Sequence, residues 1–155
     1  MKELSEGTRT MEFIPKDAEF RTRVKDSFNA QGMMHTLGAR LSSLSAGHCT
    51  ISAPVRPGFS QQHGFAHAGL TFAIGDSAAG YAAFSLMSEN QEVLTVEMKI
   101  NLINPARGTR LEATGKVLRP GNRLTTVQSD VYALEGESRT HVAVMLGTMV
   151  AVKAG

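Results

Sequence analysis

The sequence predicts an α+β domain in which one curved antiparallel β-sheet wraps around a long central α-helix, with an extra helix at the N-terminal end. Three observations carry this prediction. From about Ala68 to Met87 the chain is apolar or small on almost every face, which marks a buried helix. The segments after it alternate apolar and polar residues and are separated by short turns, the period-2 signature of antiparallel strands with one buried face. That apolar sheet face needs a partner, and the helix is the obvious one.

Each element follows in order. Residues 1–15 are polar and unpatterned and are expected to form a flexible tail, leaving 16–155 as a single domain. In PKDAEFRTRVKDSFNAQG, Pro15 opens a helix over Lys16–Gln31, Phe20, Val24 and Phe28 recur every four residues, and Gly32 is the expected stop. ARLSSLSAGHCTISAPV reads as strand, turn and strand, with Gly47 near the turn; RPGFSQQHG then forms an irregular loop. Within the buried helix, Gly75 and Gly80 each cost about 1 kcal/mol of helix propensity, so a close backbone neighbour is expected there. EVLTVEMKINLI places Leu94, Val96, Met98, Ile100 and Leu102 on one face and Thr95, Glu97, Lys99 and Asn101 on the other. RLEATGKVLRP, LTTVQSDVYAL and THVAVMLGTMVAV supply three more strands, and the short turns between the four suggest a meander. Its unpaired edges make side-by-side dimerisation a natural remedy.

Composition narrows the function classes. The 155 residues suit one domain with a real core, at 42% hydrophobic and 19% charged. A net charge of +2, no run of five like charges, and 6% aromatic content without tryptophan argue against nucleic-acid binding. One cysteine, Cys49, cannot form an internal disulfide, and no signal-peptide pattern or membrane-length apolar run occurs, so the expectation is a cytoplasmic protein.

The lone carboxylate Asp76 is the main functional clue. No other residue between Arg56 and Glu89 carries a fixed charge, so no ion pair is available within a helical turn. A buried ionised carboxylate is costly unless it is hydrogen-bonded or faces a cleft. A structural role and a pocket-facing base or nucleophile are about equally compatible with the residues alone. Before the helix, His63-Gly64-Phe65-Ala66-His67-Ala68-Gly69 places small residues at a helix N-terminus, where free amides suit a developing oxyanion. His63 and His67 lack the HExxH context of a metal site, and His48 with Cys49 has no ligand spacing. No G-x-S-x-G elbow and no Walker or dinucleotide loop occurs.

Gln61 to Gly80, followed by LTVEMKINLINPARG and KVLRPGNRLT, resembles the hotdog-fold acyl-CoA thioesterases of the phenylacetic-acid-degradation (PaaI) type. The family reads HGG with an acidic residue nine positions after the histidine; here His67-Ala68-Gly69 and Asp76 keep that spacing, with Ala68 replacing the first glycine. Gln61 matches the family's polar residue six positions before the histidine, Thr95 its Ser/Thr on the next strand, and Asn104-Pro105-Ala106 its turn.

The resemblance implies hydrolysis of an acyl-CoA thioester to free acid and CoA at sites shared between the subunits of a homodimer, or of a dimer of dimers. It makes Asp76 the general base or nucleophile, the Ala68 amide the oxyanion donor, and Gln61 and Thr95 the residues that position water or substrate. His67 fixes the loop. It needs no metal and no cofactor beyond the substrate's own CoA, whose phosphates would meet Arg119, Gly121, Asn122 and Arg123, with Arg56 and Arg107 as further cations. The alternatives are a non-catalytic acyl-CoA-binding hotdog module and an acyl-thioester hydratase or dehydratase.

Overall fold

The structure, a computed structural model, describes residues 12–155. Two short helices, α1 (Phe20–Ala30) and α2 (Gly32–Leu37), lead into the hairpin β1 (Arg40–Ser45) and β2 (His48–Pro54). A single 3-10 turn at Pro57–Phe59 precedes the long helix α3 (Ala68–Phe84). Strands β3 (Gln91–Leu102), β4 (Arg110–Arg119), β5 (Leu124–Glu135) and β6 (Ser138–Lys153) complete one antiparallel sheet in the order β1-β2-β4-β5-β6-β3. This is the hotdog architecture, with α3 packed against the sheet. No helix among the described residues is long and apolar enough to cross a membrane.

The predicted first helix is shorter than expected. Asp17 caps the preceding turn through the Glu19 amide at 2.8 Å, and the helix begins at Phe20. Phe20, Val24 and Phe28 are its buried stripe. Gly32 does not end the helical region but opens α2, and the stop falls at Gly38, whose left-handed φ of 65° suits glycine. Of the expected tail, Glu12–Pro15 are described; the Phe13 ring lies against Gly47 and 6.5 Å from the His48 ring.

The four-strand meander is only partly realised. β4, β5 and β6 follow one another through tight turns, but β3 pairs with β6 and not with β4. The 103–109 connection is long enough to cross over, so β3 ends up on the open edge of the sheet. The expected faces of β3 are also corrected. Register slips between Thr95 and Glu97, leaving Val96 as a bulge. Val93 packs on the core before the bulge and Met98 and Ile100 after it, while Leu94 and Val96 stay 57% exposed. One extra residue therefore turns Thr95 toward α3.

The close backbone approach expected at the helix glycines lies elsewhere. A Cβ at Gly115 on β4 would collide with the Ala78 backbone of α3, so sheet and helix touch there. Gly75 leaves room for the Met145 side chain, whereas a Cβ at Gly80 would meet nothing nearer than Met149 Cε at 3.9 Å. Cys49 is a core residue on β2, its thiol pushed up to about 12 by burial.

Candidate active site

The loop before α3 is held from several sides. Gly64, at φ 81°, lets the chain turn back between Gln61 and Phe65, whose backbones bond at 2.8 Å. The His67 and Ala66 amides reach the Phe59 and Ala106 carbonyls at 2.8 and 3.0 Å. His67 is the N-cap of α3: its Nδ1 accepts from the Gly69 amide at 2.8 Å. Its carbonyl accepts from Leu70 at 3.0 Å and Thr71 at 3.4 Å. Three of the first four helix amides are thus occupied, and the Ala68 amide has no partner among the described residues. No non-glycine residue among them has a positive φ, so alanine at 68 needs no strained backbone.

This free amide opens onto a cleft of about 450 Å³ lined by Gln61, Phe65, Ala66, Ala68, Thr71, Leu102, Ile103, Asn104, Pro105, Ala106 and Val142. Its walls are mostly apolar. Gln61 Oε1 accepts from the His63 amide, which leaves its Nε2 group without a partner among the described residues. Arg107 stacks over the Phe65 ring at 4.4 Å, placing a guanidinium beside this cleft. Sequence reasoning could not rank Arg107 above Arg56, since the pairing with Phe65 depends on the turn geometry; the Arg56 guanidinium instead sits against Gly38.

Asp76 faces a second cleft, of about 180 Å³, whose walls are mainly polar: Ser27, Gln31, Ser77, Tyr81, Glu92 and Thr95 are among them. The Thr95 hydroxyl donates to Asp76 Oδ1 at 2.9 Å and lies 3.4 Å from Met149 Sδ. Burial raises the Asp76 pKa above the ordinary aspartate value, and the Thr95 bond partly opposes this. The carboxylate is therefore half-buried, held by a single side chain, and open on one side.

Within one chain these groups form two separate sites. Eight residues of helix put Asp76 about 12 Å along the axis from Ala68. Thr95 joins Asp76, and Gln61 and His67 join Ala68. Gly121 and Asn122 stand elsewhere again, lining a small cleft with Ala83, Leu86 and Met87 at the far end of α3, with Arg119 and Arg123 exposed on the same turn. Among the described residues no cluster of His, Cys, Asp and Glu has the grouping to hold a metal. Ser27, Gln31 and Tyr81 were not singled out from sequence, because it takes the docking of α1 onto α3 to bring them together at the Asp76 cleft.

The thioesterase superfamily model matches residues 63–140, which span the α3 N-terminus, Asp76 and Thr95. A solved thioesterase family protein from Silicibacter pomeroyi is 42% identical, with a TM-score of 0.85, over 87% of this chain and 99% of that one. The chain belongs to the thioesterase superfamily. Two more distant thioesterase-fold structures share its architecture. The E. coli PaaI protein, from the phenylacetic acid degradation operon, is 18% identical with a TM-score of 0.79, over 88% of this chain and 95% of that one. A thioesterase from Haemophilus influenzae is also 18% identical, with a TM-score of 0.75, over 83% and 88%. As a superfamily member the chain carries a fold suited to acyl-thioester hydrolysis, and its two clefts are the places to look for that chemistry.

Proposed function

We propose that this thioesterase-superfamily protein hydrolyses acyl-CoA thioesters at sites completed by a second copy of the chain. The carrying observation is the division of labour along α3. A free amide at Ala68 and a hydrogen-bonded carboxylate at Asp76 are the two halves of a hydrolytic site, held too far apart to act on one carbonyl. The open edge at β3, with Leu94 and Val96 each 57% and Leu102 56% exposed, offers the pairing surface that would bring one copy's Asp76 to the other's Ala68.

In that arrangement the thioester oxygen sits on the Ala68 amide, where the helix N-terminus stabilises the charge that builds as the carbonyl is attacked. Asp76, with a raised pKa, removes a proton from water or attacks the thioester carbon itself. The thiolate of CoA leaves; where Asp76 has attacked, water then opens the acyl-aspartyl anhydride to release the acid and restore the carboxylate, which Thr95 holds in place. Gln61 Nε2 orients water or the carbonyl, and His67 fixes the loop. Arg107 meets the CoA phosphates on the Ala68 side, while the Arg119–Arg123 turn, at the far end of α3, stands apart from both clefts of the same chain.

A thiol-release assay over a panel of acyl-CoAs tests the reading, with Asp76→Asn and Ala68→Pro as variants. Proline fits the first helical position, and His67 at φ −65° and ψ 143° already has the conformation a following proline requires. The substitution therefore removes the free amide without breaking the helix. The expected loss is about a hundred- to thousandfold in kcat for Ala68→Pro and about a hundred- to ten-thousandfold for Asp76→Asn. Full rates in either variant, or no hydrolysis of any acyl-CoA by the wild type, would sink the proposal; binding without turnover would indicate a non-catalytic module.

A further inference from the structure

One wall of the Asp76 cleft comes from α1. Ser27 and Gln31 stand one helical turn apart, on and just beyond α1, and line the cleft opposite Asp76 and Thr95. Both are tied to Tyr81 of α3. The Tyr81 hydroxyl accepts from Gln31 Nε2 at 2.6 Å and lies 3.2 Å from Ser27 Oγ. Its ring is buried and held edge-on by Phe28 at 5.9 Å between centroids. Because the phenol oxygen accepts a hydrogen bond from Gln31, its own O–H is free to donate to Ser27, leaving the Ser27 proton for the cleft. Gln31 Oε1 has no partner among the described residues.

The α1 wall thus offers an uncharged donor and an uncharged acceptor. Tyr81, which anchors them, lies five residues beyond Asp76, about 7.5 Å along the helix. The charged groups lining the cleft, Asp76 and Glu92, are both acidic.

We infer that Ser27 and Gln31, held by Tyr81, are specificity-determining residues that receive the far end of the acyl group, favouring an uncharged hydrogen-bonding substituent and turning away a carboxylate. This rests on the thioesterase reading of the Asp76 cleft. Ser27 and Gln31 would touch substrate; Tyr81 is a positioning residue that acts through them.

The test uses the full chain and three matched substrates, hexanoyl-CoA, 6-hydroxyhexanoyl-CoA and adipoyl-CoA. The wild type is expected to show the highest kcat/KM with the hydroxylated chain and the lowest with adipoyl-CoA. Gln31→Ala and Tyr81→Phe should each cut the preference for 6-hydroxyhexanoyl over hexanoyl about three- to tenfold, the worth of one neutral hydrogen bond. Glu92→Gln should raise adipoyl relative to hexanoyl severalfold. These ratios do not depend on the fraction of folded enzyme, so a merely structural role for α1 leaves them unmoved. Unchanged ratios in Gln31→Ala and Tyr81→Phe, or a wild type indifferent to the three chains, overturn the inference. Should the wild type hydrolyse nothing, the same ratios are read by calorimetry with the matching non-hydrolysable amide analogues of the three acyl-CoAs. Selectivity that persists there and falls in Gln31→Ala upholds the α1 wall while the thioesterase reading fails; its absence overturns both.

Discussion

From Ala68 to Ser77, helix α3 leaves Phe72 37% exposed and Asp76 half-buried, whereas from Ala78 to Phe84 every residue is buried. Both halves are rich in alanine and glycine and nearly free of charge, so their composition does not distinguish them. Their neighbours do. The C-terminal half lies against the sheet so closely that Gly115 touches the Ala78 backbone, and α1 covers it through Tyr81, Phe84 and Arg23. The N-terminal half faces two clefts. An apolar helix can thus be core for half its length and a site for the other half, and the difference lies in what the rest of the chain leaves uncovered.

The largest expected effect breaks the sealed half. Gly115→Ala forces a methyl into the Ala78 backbone and should cost about 3 kcal/mol, read as a drop of about 6–12 °C in Tm for a domain of this size. A smaller effect of opposite sign is expected at the boundary. Gly80→Ala has room for its methyl and should gain about 1 kcal/mol of helix stability, seen as a rise of about 2–4 °C. Since Gly80 also lines the Asp76 cleft, turnover of bulky acyl-CoAs should fall in the same variant. An unchanged Tm there would show that the boundary is tighter than Met149 alone implies.

Next comes the open half, where the sign matters more than the size. Burial raises the Asp76 pKa, so the folded chain holds its proton to higher pH than the unfolded chain does. Stability from this group is complete below the unfolded value and is lost as pH rises through the folded one. Asp76→Asn should therefore raise Tm at neutral pH and lose that advantage in acid, as thermal melts across pH will show. The smallest shift concerns the rate profile. Thr95→Val removes the bond that lowers the Asp76 pKa, so the acid limb of kcat should move to higher pH. A limb that stays put would mean that Thr95 does not act on the carboxylate.

Much of this architecture was legible in the sequence. The four-residue spacing of Phe20, Val24 and Phe28, the all-round apolar α3, and the alternation in β4, β5 and β6 each reflect a local rule that burial later enforces. Asp76 stood out because an isolated charge in an apolar helix needs a reason. The position of β3 did not show, since the choice between β4 and β6 as its neighbour depends on a crossing loop and not on any pattern within the strand. Nor did the placement of Ser27, Gln31 and Tyr81 at the Asp76 cleft, since they are ordinary residues until α1 docks. Arg107 gained its place only through the Phe65 ring beneath it.

The bulge at Val96 has a consequence for how this segment can change. In a strand, inside and outside are assigned by counting residues, so one surplus residue works like a shift of reading frame. Deleting Val96 itself would only remove the bulge: Thr95 and Glu97 would become neighbours opposite Met149 and Thr148, and the other residues would keep their faces. Were the bulge instead flattened with every residue kept and Met98 still inward, Leu94 would turn toward α3, Thr95 would swing outward, and Asp76 would lose the hydroxyl that holds it. Changes along Leu94–Glu97 are thus open to drift as long as the surplus residue stays looped out or is lost altogether, and a chain in which it paired instead would keep its fold while losing its grip on the carboxylate.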